Sequence, residues 1–128
     1  MIPKFRCFDK DTKTMHEVVS IDFRDWRVYY EAYGLRNYWN KNVVLMQSTG
    51  LHDEQGVEIF KGDIVKIIYD SEPFIGVVVY DLGEADFKAT NNREDYGNNF
   101  QYLTVGESIE VIGNVHQHPE LLEGVSDE

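Results

Sequence analysis

The chain has 128 residues and a formal net charge of −11 at pH 7, and this length suits one domain of ordinary size. It has no apolar run long enough for a transmembrane helix and no apolar N-terminal stretch of signal-peptide length, so we expect neither membrane insertion nor export. The single cysteine, Cys7, excludes an intramolecular disulfide and a cysteine-based zinc site within one chain, and a cytoplasmic setting fits both.

The charge is unevenly distributed along the chain. Residues 1–41 hold eight Lys or Arg and six Asp or Glu, a net of +2, whereas residues 42–128 hold four and seventeen, a net of −13. The acidic total disfavours binding to nucleic-acid phosphates. The asymmetry indicates either an interaction face or a single fold whose larger aromatic core lies in one half.

The first predicted element is a β-hairpin. Residues 4–9 and 15–23 have β-compatible patterns, and a polar turn separates them. Residues 26–33 fit a helix by the spacing of their rings and a strand by alternation, and their aromatic and β-branched content favours the strand. Residues 34–42 are predicted to form a loop, with Tyr38 and Trp39 near its tip.

The second half is predicted to be a series of short strands separated by Gly and Asp turns. A helical turn beginning at Pro119 and an acidic tail follow, and residues 91–99 are predicted to be an exposed, mobile loop. This spacing favours a small barrel or sandwich over parallel βαβ units, because no convincing crossover helix lies between the strands. The predicted strands are Val43–Gln47, Val57–Phe60, Ile64–Tyr69, Ile75–Tyr80, Ala85–Thr90, Phe100–Val105 and Ile109–Val115.

Three blocks of sequence, at residues 4–10, 45–65 and 110–122, resemble the YopX family. The resemblance implies a small protein of bacteriophages and prophages, whose C-terminal part is a small SH3-like β-barrel, and it brings no catalytic residues. The expected fold is mostly β: an N-terminal β-hairpin and extended part packed on that barrel, with one short C-terminal helical turn. We expect the parts to be residues 1–46 and 47–128, folding as one unit.

The histidines and the cysteine are weak candidates for chemistry. His116 and His118 form a His-x-His pair, which would need a third ligand such as His52 or a carboxylate to hold a metal. Pro119 directly follows, so His118 is expected to leave the strand. Arg6 precedes Cys7, but strand neighbours point to opposite faces, so a buried, inert thiol is predicted.

The acidic residues of the central block are also interpreted as structural. Gly62 and Asp63 are predicted to form a turn, in which the glycine adopts a positive φ and the aspartate bonds the backbone. Asp53, Glu54 and Glu58 match no calcium-loop spacing and are predicted to form a solvated acidic turn. We therefore predict no catalytic residue, no cofactor and no metal site, and an enzyme would require a pocket joining His52, His116 and a carboxylate.

An aromatic and arginine-rich segment, residues 24–41, has the clearest potential for binding. These residue types are enriched at interface hot spots, although most of the rings could equally fill a core. The leading hypothesis is a non-enzymatic binding or scaffold protein that contacts another protein or a second copy of itself. The alternatives are single-stranded nucleic-acid binding by ring stacking, and an acidic DNA mimic that inhibits a host protein. The predicted partner-binding residues are Trp26, Arg27, Tyr29, Tyr33, Arg36, Tyr38 and Trp39.

Overall fold

A computed structural model describes residues 4–32, 35–39, 42–91, 100–104, 106 and 108–122, with only the backbone described for residue 32 and residues 35–39. Within these ranges the chain forms eleven β-strands and one 3₁₀ helix. The strands are β1 (Phe5–Asp9), β2 (Thr14–Asp22), β3 (Arg27–Ala32), β4 (Leu35–Trp39), β5 (Val43–His52), β6 (Glu58–Phe60), β7 (Asp63–Tyr69), β8 (Glu72–Asp81), β9 (Asp86–Thr90), β10 (Phe100–Tyr102) and β11 (Ser108–Asn114). The 3₁₀ helix is Pro119–Leu122.

The chain divides into two compact units, Met1–Ser48 and Thr49–Glu128. The first unit is built on an antiparallel sheet whose full strand order is β4-β3-β2-β1-β5-β6, and β5 runs from the first unit into the second. Alternation along β3 buries Val28 and Tyr30, while Glu31 is exposed. Cys7, Val28 and Tyr30 form the buried cluster of this unit, and Val18 and Val43 pack against it.

The second unit contains a five-stranded antiparallel sheet with the order β10-β9-β8-β7-β11. Its strands are rich in valine and isoleucine, which pack well on a pleated, half-buried surface. A β-bulge between Val111 and Gly113 shifts the register of β11 against β7. The buried cluster of this unit consists of Ile59, Val65, Ile67, Val78, Ala89 and Leu103.

Most of the predicted elements are confirmed. The fold is mostly β, the N-terminal hairpin forms as β1 and β2, residues 27–32 are a strand, and the turn at Pro119 is helical. Four predictions were wrong: β4 was predicted as a loop, β5 and β8 are longer than predicted, and the strand that begins at Phe100 already ends at Tyr102. Residues 35–39 are a strand and not a loop, because β4 pairs with β3 from Val28↔Trp39 to Ala32↔Leu35. β5 continues past the predicted end to His52, since the Ser48 amide bonds the Lys4 carbonyl at 2.8 Å and the Thr49 hydroxyl bonds the Ile59 carbonyl at 2.8 Å.

Some predictions fall on residues that the structure does not describe. Most of the predicted mobile loop, residues 92–99, the acidic tail from residue 123, and Tyr33 lie outside the described ranges. Among the residues that are described, no helix is long and apolar enough to cross a membrane.

Candidate functional site

Three hairpin turns share one construction, in which the last residue of the first strand is an aspartate. Its Oδ1 accepts hydrogen bonds from the backbone amides two and three residues later, and the residue after those has a positive φ. The amide-to-Oδ1 distances are 2.9 and 3.3 Å for Asp9, 3.0 and 3.2 Å for Asp22, and 2.8 and 3.3 Å for Asp81. The residues with positive φ are Lys13 at 60°, Trp26 at 56° and Ala85 at 54°.

The tryptophan is the unusual member of this set. A left-handed backbone conformation places Cβ close to a carbonyl oxygen and costs a residue such as tryptophan about 1–2 kcal/mol, whereas glycine, and to a lesser degree asparagine and aspartate, tolerate it. Lys13 and Ala85 occupy the same position in the other two turns, so the turn requires a positive φ there but does not require a tryptophan. A bulky residue at such a position is a reason to look for a function.

The β2–β3 turn presents two large rings to solvent. The side chains of Phe23 and Trp26 are each 68% exposed, and their ring centroids lie 6.3 Å apart with the planes at 82°. This edge-to-face geometry is favourable for an aromatic pair. The four turn residues lie between Asp22 and Arg27, which are paired across the two strands, so the rings extend beyond the end of the sheet.

A groove of about 420 Å³ adjoins this turn within the first unit. Phe23 is one of its lining residues, and Val19, another, is 47% exposed. Lys4, a further lining residue, forms an ion pair of 3.7 Å with Glu17, and both side chains are at least half exposed. We call Trp26 together with this groove the aromatic surface. The groove is lined by Lys4, Phe5, Val18, Val19, Ser20, Ile21 and Phe23.

A buried polar network supports the sheet that carries the aromatic surface. The Tyr30 hydroxyl donates a 2.6 Å hydrogen bond to Asp9 Oδ2, and the His16 ring stacks on Tyr30 with centroids 4.3 Å apart. Burial by itself would raise the pKa of the Asp9 carboxyl. The hydrogen bonds from Tyr30 and two turn amides have the larger combined effect, so the pKa lies below its ordinary value. Burial, then the hydrogen bond to Asp9, raises the pKa of Tyr30. Tyr30 therefore stabilises the fold and does not form part of the exposed surface.

The predicted partner-binding residues are distributed over three places. Trp26 is in the exposed turn, and Arg27 and Tyr29 are half-buried on β3. Arg36, Tyr38 and Trp39 lie on β4 and pair by backbone register with Glu31, Tyr29 and Val28, and Tyr33 is not described. Sequence reasoning missed Phe23, which it assigned to the preceding strand. The signal that could have separated it is Asp22, since the same aspartate-led turn begins at Asp9.

In the second unit, Asp53 corrects the prediction of a solvated acidic turn. Its side chain is only 7% exposed, and its oxygens accept hydrogen bonds from the amides of Gln55, Val57 and Val111 at 2.9, 2.9 and 3.0 Å. Burial raises the pKa of this carboxyl, but the three amides outweigh it and hold the pKa below its ordinary value. Asp53 thus fastens its own turn to β11, whereas its neighbour Glu54 is exposed.

Two other residues have the structural roles predicted for them. Asp63 is 1% exposed and accepts the Phe60 amide at 2.7 Å, which closes the turn that follows β6. His118 lies beyond β11, and its Nδ1 accepts the Asn114 amide at 3.2 Å. A groove of about 340 Å³ in this unit is lined by His52 and Glu54, among others, but not by His116. Across the described ranges, no three His, Cys, Asp or Glu side chains lie close enough together to hold a metal ion.

Within the described ranges, the charged side chains of the β8–β9 turn, unlike those of the β2–β3 turn, contact the neighbouring strands. Lys88 Nζ lies 2.7 Å from Asp81 and 2.8 Å from Glu84, and 4.0 Å above the centre of the Phe100 ring. The Tyr102 hydroxyl donates to Glu84 at 2.9 Å. The hydrogen bonds to Asp81 and Glu84 raise the pKa of Lys88. The side chains of this turn therefore tie β10 to β8 and β9.

Fold and site together define a small, mostly β protein of two units, with an aspartate-capped aromatic turn on the first. The chain belongs to the YopX family, since the family model, described as YopX protein, matches residues 4–123. The resemblance seen in the sequence is thereby confirmed.

Two solved structures are similar over nearly their whole length. Protein EF1440 from Enterococcus faecalis is 28% identical with a TM-score of 0.63, and the match covers 96% of this chain and 99% of that one. Protein YopX from Bacillus subtilis is 26% identical with a TM-score of 0.64, and the match covers 94% and 98%. No curated protein matches the chain.

Proposed function

We propose that this YopX-family chain is a non-enzymatic binding protein that contacts another protein through the aromatic surface of its first unit. The observation that carries the proposal is the pair of exposed rings, Phe23 and Trp26, on a turn where Trp26 holds a positive φ. The rings extend past the end of the sheet and adjoin an apolar groove.

The energetics of the turn favour a binding role. Full burial of a ring of this size is worth about 1.5–3 kcal/mol, and the described contacts leave both rings two-thirds exposed. The left-handed conformation of Trp26 adds a cost that a glycine would avoid. Both costs are offset if the rings become buried against a partner, and tryptophan is among the residues most enriched at interface hot spots.

The groups presented by the aromatic surface suit contact better than catalysis. Apolar rings and the aliphatic side chains of Val18, Val19 and Ile21 supply most of the lining of the groove. Of its two polar side chains, Ser20 and Lys4, the lysine is ion-paired with Glu17 at 3.7 Å. The buried carboxylates of Asp9 and Asp53 already accept hydrogen bonds from their own fold.

We further propose that the protein is encoded by a bacteriophage or prophage and acts in the cytoplasm of its bacterial host. What supports the origin is the membership of the YopX family, because the resemblance to that family implies a phage or prophage protein. The genomic neighbourhood of the gene tests the origin, and fractionation of cells that express the tagged chain tests the location.

Two alternatives from the sequence remain open to experiment, namely single-stranded nucleic-acid binding and inhibition of a host protein by acidic mimicry of DNA. Arg24 and Arg27 are neighbours of the rings in sequence, but Asp22 and Asp25 lie in the same six residues, so residues 22–27 carry no net charge. We expect labelled oligonucleotides to show no salt-sensitive binding at low ionic strength. Salt-sensitive binding that Trp26→Asn removes would favour the nucleic-acid role.

The direct test is affinity capture from a lysate of the organism that encodes the protein, followed by binding measurements with the purified partner. The bait is the full chain, the double variant Phe23→Ser/Trp26→Asn, or the control Leu82→Ser. Leu82 is 86% exposed and holds the position in the β8–β9 turn that Phe23 holds in the β2–β3 turn. We expect a partner retained by wild type and the control and lost by the double variant. The same proteins on all three baits would contradict the proposal.

A further inference from the structure

We infer that the partner of the aromatic surface is a second copy of this chain, in a two-fold symmetric dimer in which Trp26 of each copy enters the groove of the other. This inference rests on the proposed function and names its partner. It is carried by two observations on the first unit: the position of the ring beside a groove, and the balance of charge around both.

The first observation is that the protruding group and the receiving groove belong to one continuous patch. In a two-fold dimer the same patch meets itself, so it must contain both the group that inserts and the site that receives it. Phe23 lines the groove, and its ring centroid is 6.3 Å from that of Trp26. A rotation that brings Trp26 to the partner's groove therefore brings the partner's Trp26 to this one.

The second observation is that the charges around the patch are self-complementary. The turn and the two residues beside it contain Asp22, Arg24, Asp25 and Arg27, two of each sign, and Lys4, which lines the groove, is ion-paired with Glu17. Two copies of such a surface can place unlike charges opposite each other. A strongly acidic or strongly basic partner would find as many repulsive as attractive groups.

The charge of the whole chain favours the same contact. Residues 1–48 carry a net of +2, because residues 42–48 contain no charged side chain, whereas residues 49–128 carry −13. Contact between two second units would set like charges against each other. Contact between two first units avoids this repulsion, so the first unit is the part through which two acidic chains can associate.

The test is sedimentation equilibrium of the full chain from about 1 μM to about 1 mM, the range of weak to moderate self-association. We expect a reversible monomer–dimer equilibrium for wild type and for the control Leu82→Ser. Trp26→Asn and Val19→Asp should each weaken it at least about thirty-fold, as loss of a hot-spot side chain does. Asparagine tolerates a positive φ, so Trp26→Asn should keep the fold, and circular dichroism checks this.

Charge variants provide a second test of the symmetric contact. Arg24→Glu and Asp25→Arg should each weaken homodimerisation, because each makes the turn repel its own copy. An equal mixture of the two variants should dimerise better than either alone, as read from fluorescence transfer between labelled chains. A salt titration should reduce that difference.

The outcomes separate this inference from the proposed function. A chain that stays monomeric throughout, or a dimer that survives Trp26→Asn and Val19→Asp, overturns the inference. If such a chain still captures another protein in a Trp26-dependent way, the proposed function stands and only the identity of the partner is wrong. If Leu82→Ser also abolishes dimerisation, the association is not specific to the aromatic surface and the inference fails.

Discussion

The Tyr30 hydroxyl donates a hydrogen bond of 2.6 Å to the Asp9 carboxylate, and through that carboxylate it joins β3 to the β1–β2 turn. The same carboxylate caps the turn with its other oxygen, so one aspartate serves two elements that are 21 residues apart in sequence. The register of the strands and the shape of the turn are therefore stabilised together in the sheet that carries the aromatic surface.

Removal of this hydrogen bond should destabilise the fold measurably. We expect Tyr30→Phe to lower the free energy of unfolding by about 2 kcal/mol, because it leaves a buried carboxylate oxygen without its donor. Urea denaturation followed by circular dichroism measures the change. Tyr69, which is 46% exposed, provides the control, and Tyr69→Phe should change the free energy by less than about 0.5 kcal/mol. An equal loss in both variants would contradict the role given to Asp9.

The buried aspartates should make the fold sensitive to acid. The folded-state pKa of Asp53 and of Asp9 lies below the ordinary value of 3.8, so each carboxylate contributes its full stabilisation above that value. The contribution is lost as the pH falls through the lower, folded-state pKa. We expect the free energy of unfolding to vary little with pH above about 5 and to fall below about pH 4.

Asp53→Asn tests which carboxylate is responsible. It should lower the free energy of unfolding at pH 7 by about 3 kcal/mol, because a neutral side chain replaces the buried, charged carboxylate that accepts three backbone amides. It should also make the decline below about pH 4 shallower, since one depressed carboxyl is gone. Glu54→Gln, one residue further on and exposed, should do neither. A full acid-dependent decline in Asp53→Asn would assign the effect to other groups.

The thiol of Cys7 should be protected in the folded protein. Burial, with a smaller effect of the Asp9 carboxylate, raises its pKa to about 11, and the side chain has no exposed surface. We expect a thiol reagent at pH 8 to modify it only through unfolding, with a rate that rises with urea in parallel with the unfolded fraction. Tyr30→Phe should accelerate modification by about thirty-fold, the factor for 2 kcal/mol. Rapid modification of the wild type without denaturant would contradict this.

Trp26 should reduce the stability of the monomer. We expect Trp26→Gly to raise the free energy of unfolding by about 1 kcal/mol, because glycine adopts a positive φ without the steric cost. The measurement is made at low protein concentration, so that self-association does not contribute. Lys13→Gly, at the same position of the β1–β2 turn, should give a similar gain. A marked loss of stability in Trp26→Gly alone would mean that the indole stabilises the isolated fold, and the binding proposal would lose its energetic support.

The local sequence pattern was sufficient to predict most strands. It was insufficient where contacts between residues distant in sequence determine the structure. Ile64–Tyr69 is rich in β-branched residues and was predicted within a residue of β7. β4 was missed because Leu35–Trp39 is short and has polar neighbours, and it is a strand through its pairing with β3. The burial of Asp53 was missed for a related reason, since its bond to the Val111 amide spans 58 residues.

The aromatic surface was only partly predictable. Trp26 was identified from residue type alone, which is informative for rings but does not distinguish the buried Tyr30 from the exposed Trp26. Phe23 continues the alternation of Val19 and Ile21 and so resembles a strand residue. The pairing of Asp22 with Arg27 shows that the strand ends before Phe23, and the aspartate at position 22 is the signal in the sequence that could have indicated this.

Because the turns at Asp9, Asp22 and Asp81 share one backbone conformation, the side chains at their tips can be exchanged between them. Counting the aspartate as the first residue, its hydrogen bonds and the positive φ of the fifth residue determine the backbone of each turn. The side chains at the second and fifth positions differ without altering the turn: they are Lys10 and Lys13, Phe23 and Trp26, and Leu82 and Ala85. A chain built in this way can acquire or lose a recognition tip by one or two substitutions. Replacing the four residues of the β8–β9 turn by the four between Asp22 and Arg27 should therefore create an exposed aromatic turn of the same kind on the second unit.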